Sequence, residues 1–242
     1  MLIWKPLLTN VHIGDPTLSE KLANTFDGRL AFLLLSILIN VFFNALTVAT
    51  NMGSAVWTAS AVNLSHWLNL SLGNTLFLEG LVVAIVNLIL LGQFDYFRLF
   101  RNLLFIVPFS YLLSWFKQFF FMLGVPTLPL FWRLILDLIG LIGVAVAVSL
   151  YQRANVVMHP NDDLPFILRF RFLHGSPVWS QWDSNIPPIV IIILAVIATH
   201  QLFAVNIGTI LNIAFQGYII GWSDQHIFPQ LHHHLDFKST IH

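Results

Sequence analysis

Long apolar runs alternate with short polar knots along this chain. Six stretches have the roughly 20 mostly apolar residues that a helix needs to cross a bilayer: 30–48, 76–91, 103–121, 134–151, 186–205 and 207–222. The fifth opens with Pro187-Pro188, which suit the first turn of a helix. The last two nearly touch, so a tight turn around Asn206 has to part them. Ahead of the first run, Asp15, Glu20, Lys21 and Asp27 are too polar for a span. No apolar core with a small-residue cleavage pattern marks a signal peptide there. This segment reads as a cytoplasmic or interfacial lead-in, with a short helix after Asp15-Pro16.

The densest polar knot is 154–164, which packs His159-Pro160-Asn161-Asp162-Asp163 between two apolar runs. A weaker echo, 50–58, runs Thr50-Asn51-Met52-Gly53 up to Trp57-Thr58. Downstream of each knot, residues 52–74 and 163–183 have room for a short helix and a turn. Each such helix is either interfacial or a re-entrant piece packed inside the bundle. An irregular loop facing lipid is excluded, because unpaired backbone groups cost several kcal/mol in hydrocarbon.

The echo extends to an internal repeat. Residues 102–116 align with 209–223, matching Tyr111 to Tyr218, Trp115 to Trp222, and Ser110 and Ser114 to Gly217 and Gly221. Gly28-Arg29-Leu30 matches Trp132-Arg133-Leu134, and Asn51 matches Asn155. Three spans per half is an odd number, so the halves must be inverted relative to each other, a common build among transporters.

Composition and charge sharpen this picture. The 242 residues are 57% hydrophobic and 9% charged, against about 25% charged in soluble domains, and the mean hydropathy is +0.79. A net charge of zero gives nucleic acid no footprint. The absence of cysteine rules out disulfides, thiolate metal sites and a cysteine nucleophile. With the N-terminus inside, nine of the eleven Lys and Arg fall on the cytoplasmic side; only Lys117 and Arg133 fall outside. An even number of spans with both termini cytoplasmic satisfies the positive-inside rule.

Candidate chemistry is sparse. Pro160 biases His159 away from helix, so the fourth span should stop there. Asn161 or Asp162 can then cap a following short helix, or the group can form a polar-solute, proton or cation site. Arg153 and Asn155 lie within a turn and can pair with it. Glu79 is the only carboxylate of the second span; acids at membrane depth are rare and usually functional or partnered. Arg133 and Asp137, at i and i+4, suit a local salt bridge. Asn206 or Thr209 can cap the sixth span. Asn40, Asn44, Asn87 and His200 read as packing polars. His232-His233-His234 reads as a solvated tail. No phosphate loop, Ser-His-Asp arrangement or zinc-protease helix is present, and no enzyme activity, cofactor or metal is expected.

The runs ALTVATNMGS at 45–54, Gln152-Arg153-Ala154-Asn155 with His159-Pro160-Asn161-Asp162-Asp163-Leu164, and Ile207-Gly208-Thr209 resemble the YczE-like group of bacterial integral membrane proteins. That group is distantly similar to the YitT-type membrane proteins. The resemblance covers about residues 28–231. Many members carry Gly-x-x-Pro-Trp after the first Asn; here Ala55 and Val56 stand where the Pro is usual, with Trp57 kept. The resemblance implies six spans in the bacterial cytoplasmic membrane. Members from lactic acid bacteria are often labelled sugar-specific permeases.

The expectation is an all-α polytopic membrane protein. Its six transmembrane helices form two inverted three-helix repeats, 28–124 and 125–223, each with a short extra helix between its first two spans. Residues 1–27 precede the repeats and a cytoplasmic tail, 224–242, follows them. Its expected partners are the lipid bilayer and a small organic solute, with a homo-oligomer or another membrane partner open. The expected function is a permease, sugar-like solutes favoured. The alternative is a non-catalytic ligand-binding subunit or accessory scaffold of a larger complex. Expected site residues are Asn51, Trp57, Asn155, His159, Asn161, Asp162, Asp163 and Thr209, with Glu79 as coupling carboxylate.

Overall fold

Short polar side chains set where the helices begin. Thr17 caps α1 (Leu18–Ala23), Thr25 caps α2 (Phe26–Thr50) and Ser71 caps α4 (Leu72–Leu91). Asp95 caps α5 (Tyr96–Met122) and Ser176 caps α8 (Pro177–Ser184). Each accepts a hydrogen bond from a backbone amide of the first turn that has no partner within the helix. The other helices are α3 (Val56–Leu68), α6 (Leu130–Ala154), α7 (Pro160–Ile167), α9 (Ile186–Thr199) and α10 (Ile207–His226). A 3₁₀ turn, Val125–Thr127, joins α5 to α6, and a π turn, Leu168–Phe172, prolongs α7. The computed structural model describes residues 17–92 and 95–234, and all their regular structure is helical.

Among the described residues, five helices are long and apolar enough to cross a membrane: α2, α4, α5, α6 and the α8–α9 pair running from Pro177 to Thr199. The fifth span differs from its expected limits at both ends. The fifth span starts at Pro177 rather than near Ile186, since α8 continues into α9 through Asn185. It also ends earlier, at Thr199, where His200 adopts a left-handed conformation (φ 55°) and residues 201–206 lead to α10. The sixth stretch does form a helix, but Asn212, Gln216 and Asp224 dilute its apolar character. By length α10 still reaches about 30 Å. The lead-in helix after Asp15-Pro16 is present as α1; the residues before Thr17 lie outside those described.

The core forms where α2 packs along α6, burying Val41, Ala45 and Ala49 against Val144, Ala145 and Val148. Gly143 allows this closeness: a Cβ there would lie 2.2 Å from the Phe43 ring. α10 approaches α8 in the same way, since a Cβ on Gly217 would lie 2.7 Å from the Val178 backbone. Small residues at helix contacts are the usual means of close packing in membranes. The long helices turn Leu34, Leu38, Val82, Ile89, Leu104, Ile142, Ile193 and Ile210 outward, exposed. So much outward apolar surface suits a lipid surround and not water.

One end of the bundle gathers the basic residues. Arg29 donates to the carbonyls of Ala154 and Asn155, and Arg171 to that of Leu91. Arg98 pairs with Asp163. Arg153, expected to pair with the polar knot, instead donates to the carbonyls of Ile227, Phe228 and Leu231 and holds the chain beyond α10. The histidine run is therefore not a solvated tail in its described part. His233 meets Asp224, His232 meets Glu20, and His234 contacts the Arg153 carbonyl. At the opposite end Arg133 and Asp137 form no ion pair. Both turn to Thr50, whose hydroxyl donates to Asp137 at 2.8 Å and whose carbonyl accepts from Arg133 at 3.3 Å. The end of α2 competes successfully for both groups, since its last carbonyls and Thr50 need partners.

Candidate functional site

The site is built from two helix ends that turn back into the bundle. α2 ends at Asn51 and α6 at Asn155, both in the left-handed conformation (φ 55° and 43°) that Asn tolerates better than most residues. After Asn51 the chain crosses Gly53 (φ 117°), where a Cβ would lie 2.6 Å from the Thr209 amide nitrogen. The turn is pinned there. Gly208 N–H donates to the Met52 carbonyl at 2.8 Å, and Thr209 Oγ1 donates to the Ser54 carbonyl at 2.9 Å. α3 follows. After Asn155 the chain reaches His159, whose Nδ1 accepts from the Asn161 amide at 3.2 Å and starts α7. The cap is thus His159, not Asn161 or Asp162, because Pro160 takes the first helical position and places its predecessor in extended backbone. Likewise α6 stops at Ala154, short of His159. α7 is held from two sides: Asn87 of α4 donates to the Pro160 carbonyl at 2.9 Å, and Arg98 and Asn102 of α5 bind Asp163.

The first turns of α3 and α7 line one cavity of about 40 Å³. Ala55, Trp57 and Thr58 come from the first, His159, Asn161 and Asp162 from the second. α2 adds Asn40 and Asn44, α8 adds Gln181, and α10 adds Asn212 and Gln216. Six of these side chains are carboxamides, neutral groups that both donate and accept. Thr58 donates to Asn44 Oδ1 at 3.2 Å, and the Val56 amide to Asn212 Oδ1 at 3.3 Å. Four buried polar atoms of the lining have no partner among the described residues: Asn40 Oδ1, His159 Nε2, Asn161 Oδ1 and Asn212 Nδ2. Buried polar groups are normally satisfied, so four orphaned atoms on residues that line one space are unusual. The present volume suits about three waters. His159 is pushed down to about 3 by burial and is neutral, consistent with Nδ1 acting as an acceptor. Asp162 is pushed up to about 6 by burial, opposed by a hydrogen bond from Tyr151 and reinforced by Asp163.

The expected site residues divide accordingly. Trp57, His159, Asn161 and Asp162 line the cavity. Asn51 and Asn155 shape the turns behind it, Thr209 bridges the first turn to α10, and Asp163 faces away to Arg98. Glu79 stands one turn after the lining residue Leu76 and accepts a hydrogen bond from Ser60. Asn40, Asn44, Thr58, Gln181, Asn212 and Gln216 are additions to that set. Four of them carried a signal: Asn40/Asn44 and Asn212/Gln216 are carboxamide pairs at i, i+4, which share one helix face.

Fold and site together fit a helical multi-pass membrane protein with a polar cavity between its helices. Residues 28–225 match a family described as a family of unknown function (DUF6198), and the chain belongs to that family. No curated protein and no solved structure matches it.

Proposed function

We propose that the protein is a permease of the bacterial cytoplasmic membrane for a small, neutral, polar organic solute, with sugar-like molecules favoured. The observation that carries this is one cavity onto which two short helices open, one from each half of the chain, lined by carboxamides. Paired short helices meeting at a polar midpoint are a recurrent transporter arrangement. Hydroxyl-rich solutes match groups that donate and accept without charge.

In this reading α2 to α5 and α6 to α10 are inverted repeats, with α10 as the sixth span. Support comes from α2 and α6, each 25 residues long and each ending at a left-handed Asn. The YczE-like resemblance agrees with it. Basic residues at one end of the bundle support cytoplasmic termini. Drug-sized ligand pockets measure about 300–1,000 Å³, so in this reading the narrow cavity widens to admit its solute. Rocking of one half against the other opens it to either side. The test is uptake and binding by reconstituted proteoliposomes across sugars, amino acids and vitamins. Flux of a neutral polyol or sugar supports the proposal; no flux and no binding with any of them rejects it.

A second reading is a ligand-binding membrane subunit of a larger complex. The narrowness of the cavity favours it, since a binder need not open to both sides. A stoichiometric partner retained on purification from native membrane, with binding but no autonomous flux, supports this reading over the first.

A further inference from the structure

Glu79 lies two turns into α4, 4% exposed. One side chain meets its carboxyl group: Ser60 of α3, at Oε1. Its other oxygen, Oε2, is buried with no partner among the described residues. The histidines and charged side chains described on the elements packed against α4 are engaged elsewhere. His66 of α3 stacks on Phe203. On α5, Arg98 pairs with Asp163, Arg101 reaches the Phe97 carbonyl, and Lys117 lies over the Phe121 ring. On α7, His159 takes the Asn161 amide and Asp162 is hydrogen-bonded to Tyr151. A full negative charge with one hydroxyl beside it is costly at this depth.

Counting hydrogens locates the remedy. Ser60 Oγ touches Glu79 and also lies 2.9 Å from the Trp57 carbonyl. A serine has one hydroxyl hydrogen, so it cannot donate to both acceptors at once. With a proton on Glu79, the carboxyl O–H donates to Ser60 Oγ and Ser60 donates to the Trp57 carbonyl. Without it, Ser60 must turn its hydrogen to the carboxylate and leave that carbonyl. Trp57 belongs to the first turn of α3 and lines the cavity.

We propose that Glu79 is a proton-binding carboxyl whose occupancy is passed through Ser60 to Trp57 and so to the cavity wall. Protonation adds one hydrogen and neutralises the group. Release returns that proton to water and leaves a carboxylate held by Ser60. Should the cavity carry a solute, this is the point at which a proton gradient acts on it; that clause alone rests on the permease reading.

Infrared difference spectroscopy of the full-length protein in detergent tests the first half. At neutral pH a protonated-carboxyl C=O band is expected, lost in Glu79→Gln and shifted in Ser60→Ala. Spectra of wild type and Glu79→Gln that superpose in this region overturn the proposal, as does a band that disappears when sodium is added at constant pH. The chain has no cysteine, so Ala55→Cys gives a single label site on the cavity for the second half. Its maleimide labelling rate, divided at each pH by that of the same thiol in the denatured protein, should show a several-fold step with pH that vanishes in Ala55→Cys/Glu79→Gln; a step that persists overturns the link. Both readouts work without a solute or a flux, so they stand or fall apart from transport.

Discussion

Arg98 grips Asp163 with two parallel hydrogen bonds, Nε to Oδ2 at 2.9 Å and Nη2 to Oδ1 at 2.5 Å. Asp163 is 0% exposed and also accepts from Asn102 at 3.0 Å. This fork fastens α7 to α5 and leaves its neighbour Asp162 facing the cavity. Adjacent carboxylates on a helix point apart, and here the two have separate work.

Breaking the fork from one side leaves the other charge buried alone, a loss of about 3–5 kcal/mol in comparable pairs. Asp163→Asn and Arg98→Ala should each lower the unfolding temperature in detergent markedly. Arg98→Lys should rescue little, because an ammonium cannot reproduce the planar fork. The double variant Arg98→Met/Asp163→Leu should cost clearly less than the sum of the singles. Additive losses in thermal unfolding would show that the pair is not coupled.

The order of the long apolar helices is legible from hydrophobic runs, because each lipid-facing span must be apolar along its length; the limits of the fifth are not. Asn51 and Asn155 match each other in the sequence, and both end a helix in the left-handed conformation; the match alone does not give that turn. Partner choice is not legible. Arg133 and Asp137 satisfy the spacing of a salt bridge yet both serve Thr50, since the end of α2 is brought to them only by tertiary packing. Arg153 lies beside the polar knot in sequence but reaches the tail more than seventy residues later. The cavity was half legible. Its α7 residues form one conspicuous cluster, whereas its carboxamides come singly or in pairs from three other helices.

Asn161 separates a binding role from a packing role. Its Oδ1 is buried without a partner among the described residues, so Asn161→Leu removes an unsatisfied acceptor at similar volume. Stability should hold or rise by about 1 kcal/mol, and on the permease proposal solute binding or uptake should be lost. Loss of stability with uptake unchanged would assign Asn161 to packing. Thermal unfolding and proteoliposome uptake on one preparation decide between them.

Gly143 tests the seam between α2 and α6. An added methyl would lie 2.2 Å from the Phe43 ring, which is rigid and flanked by Phe42 in an edge contact. Gly143→Ala should therefore destabilise by about 1–3 kcal/mol, and Gly143→Leu should prevent folding. Phe43→Ala should relieve Gly143→Ala in part. Monodispersity and unfolding temperature in detergent read both effects.

The tail beyond α10 should respond to acid. His233 Nε2 lies 3.2 Å from Asp224 Oδ2, which also receives Arg169 at 2.6 Å. Burial and the nearby Arg169 guanidinium hold His233 below its ordinary value of 6.5, with Asp224 offsetting part of the shift. The unfolded chain therefore binds this proton more readily than the folded one. The contribution of His233 to stability is fully present above 6.5 and is lost as pH falls through the window beneath it. Backbone amides of residues 227–234 should be less protected, relative to their intrinsic exchange rates, in mildly acidic than in neutral buffer. His233→Gln keeps a neutral donor toward Asp224 and should flatten this dependence. Arg153→Gln removes the grip on the Ile227, Phe228 and Leu231 carbonyls and should speed exchange at every pH. Equal pH dependence in wild type and His233→Gln would place the acid response in another group.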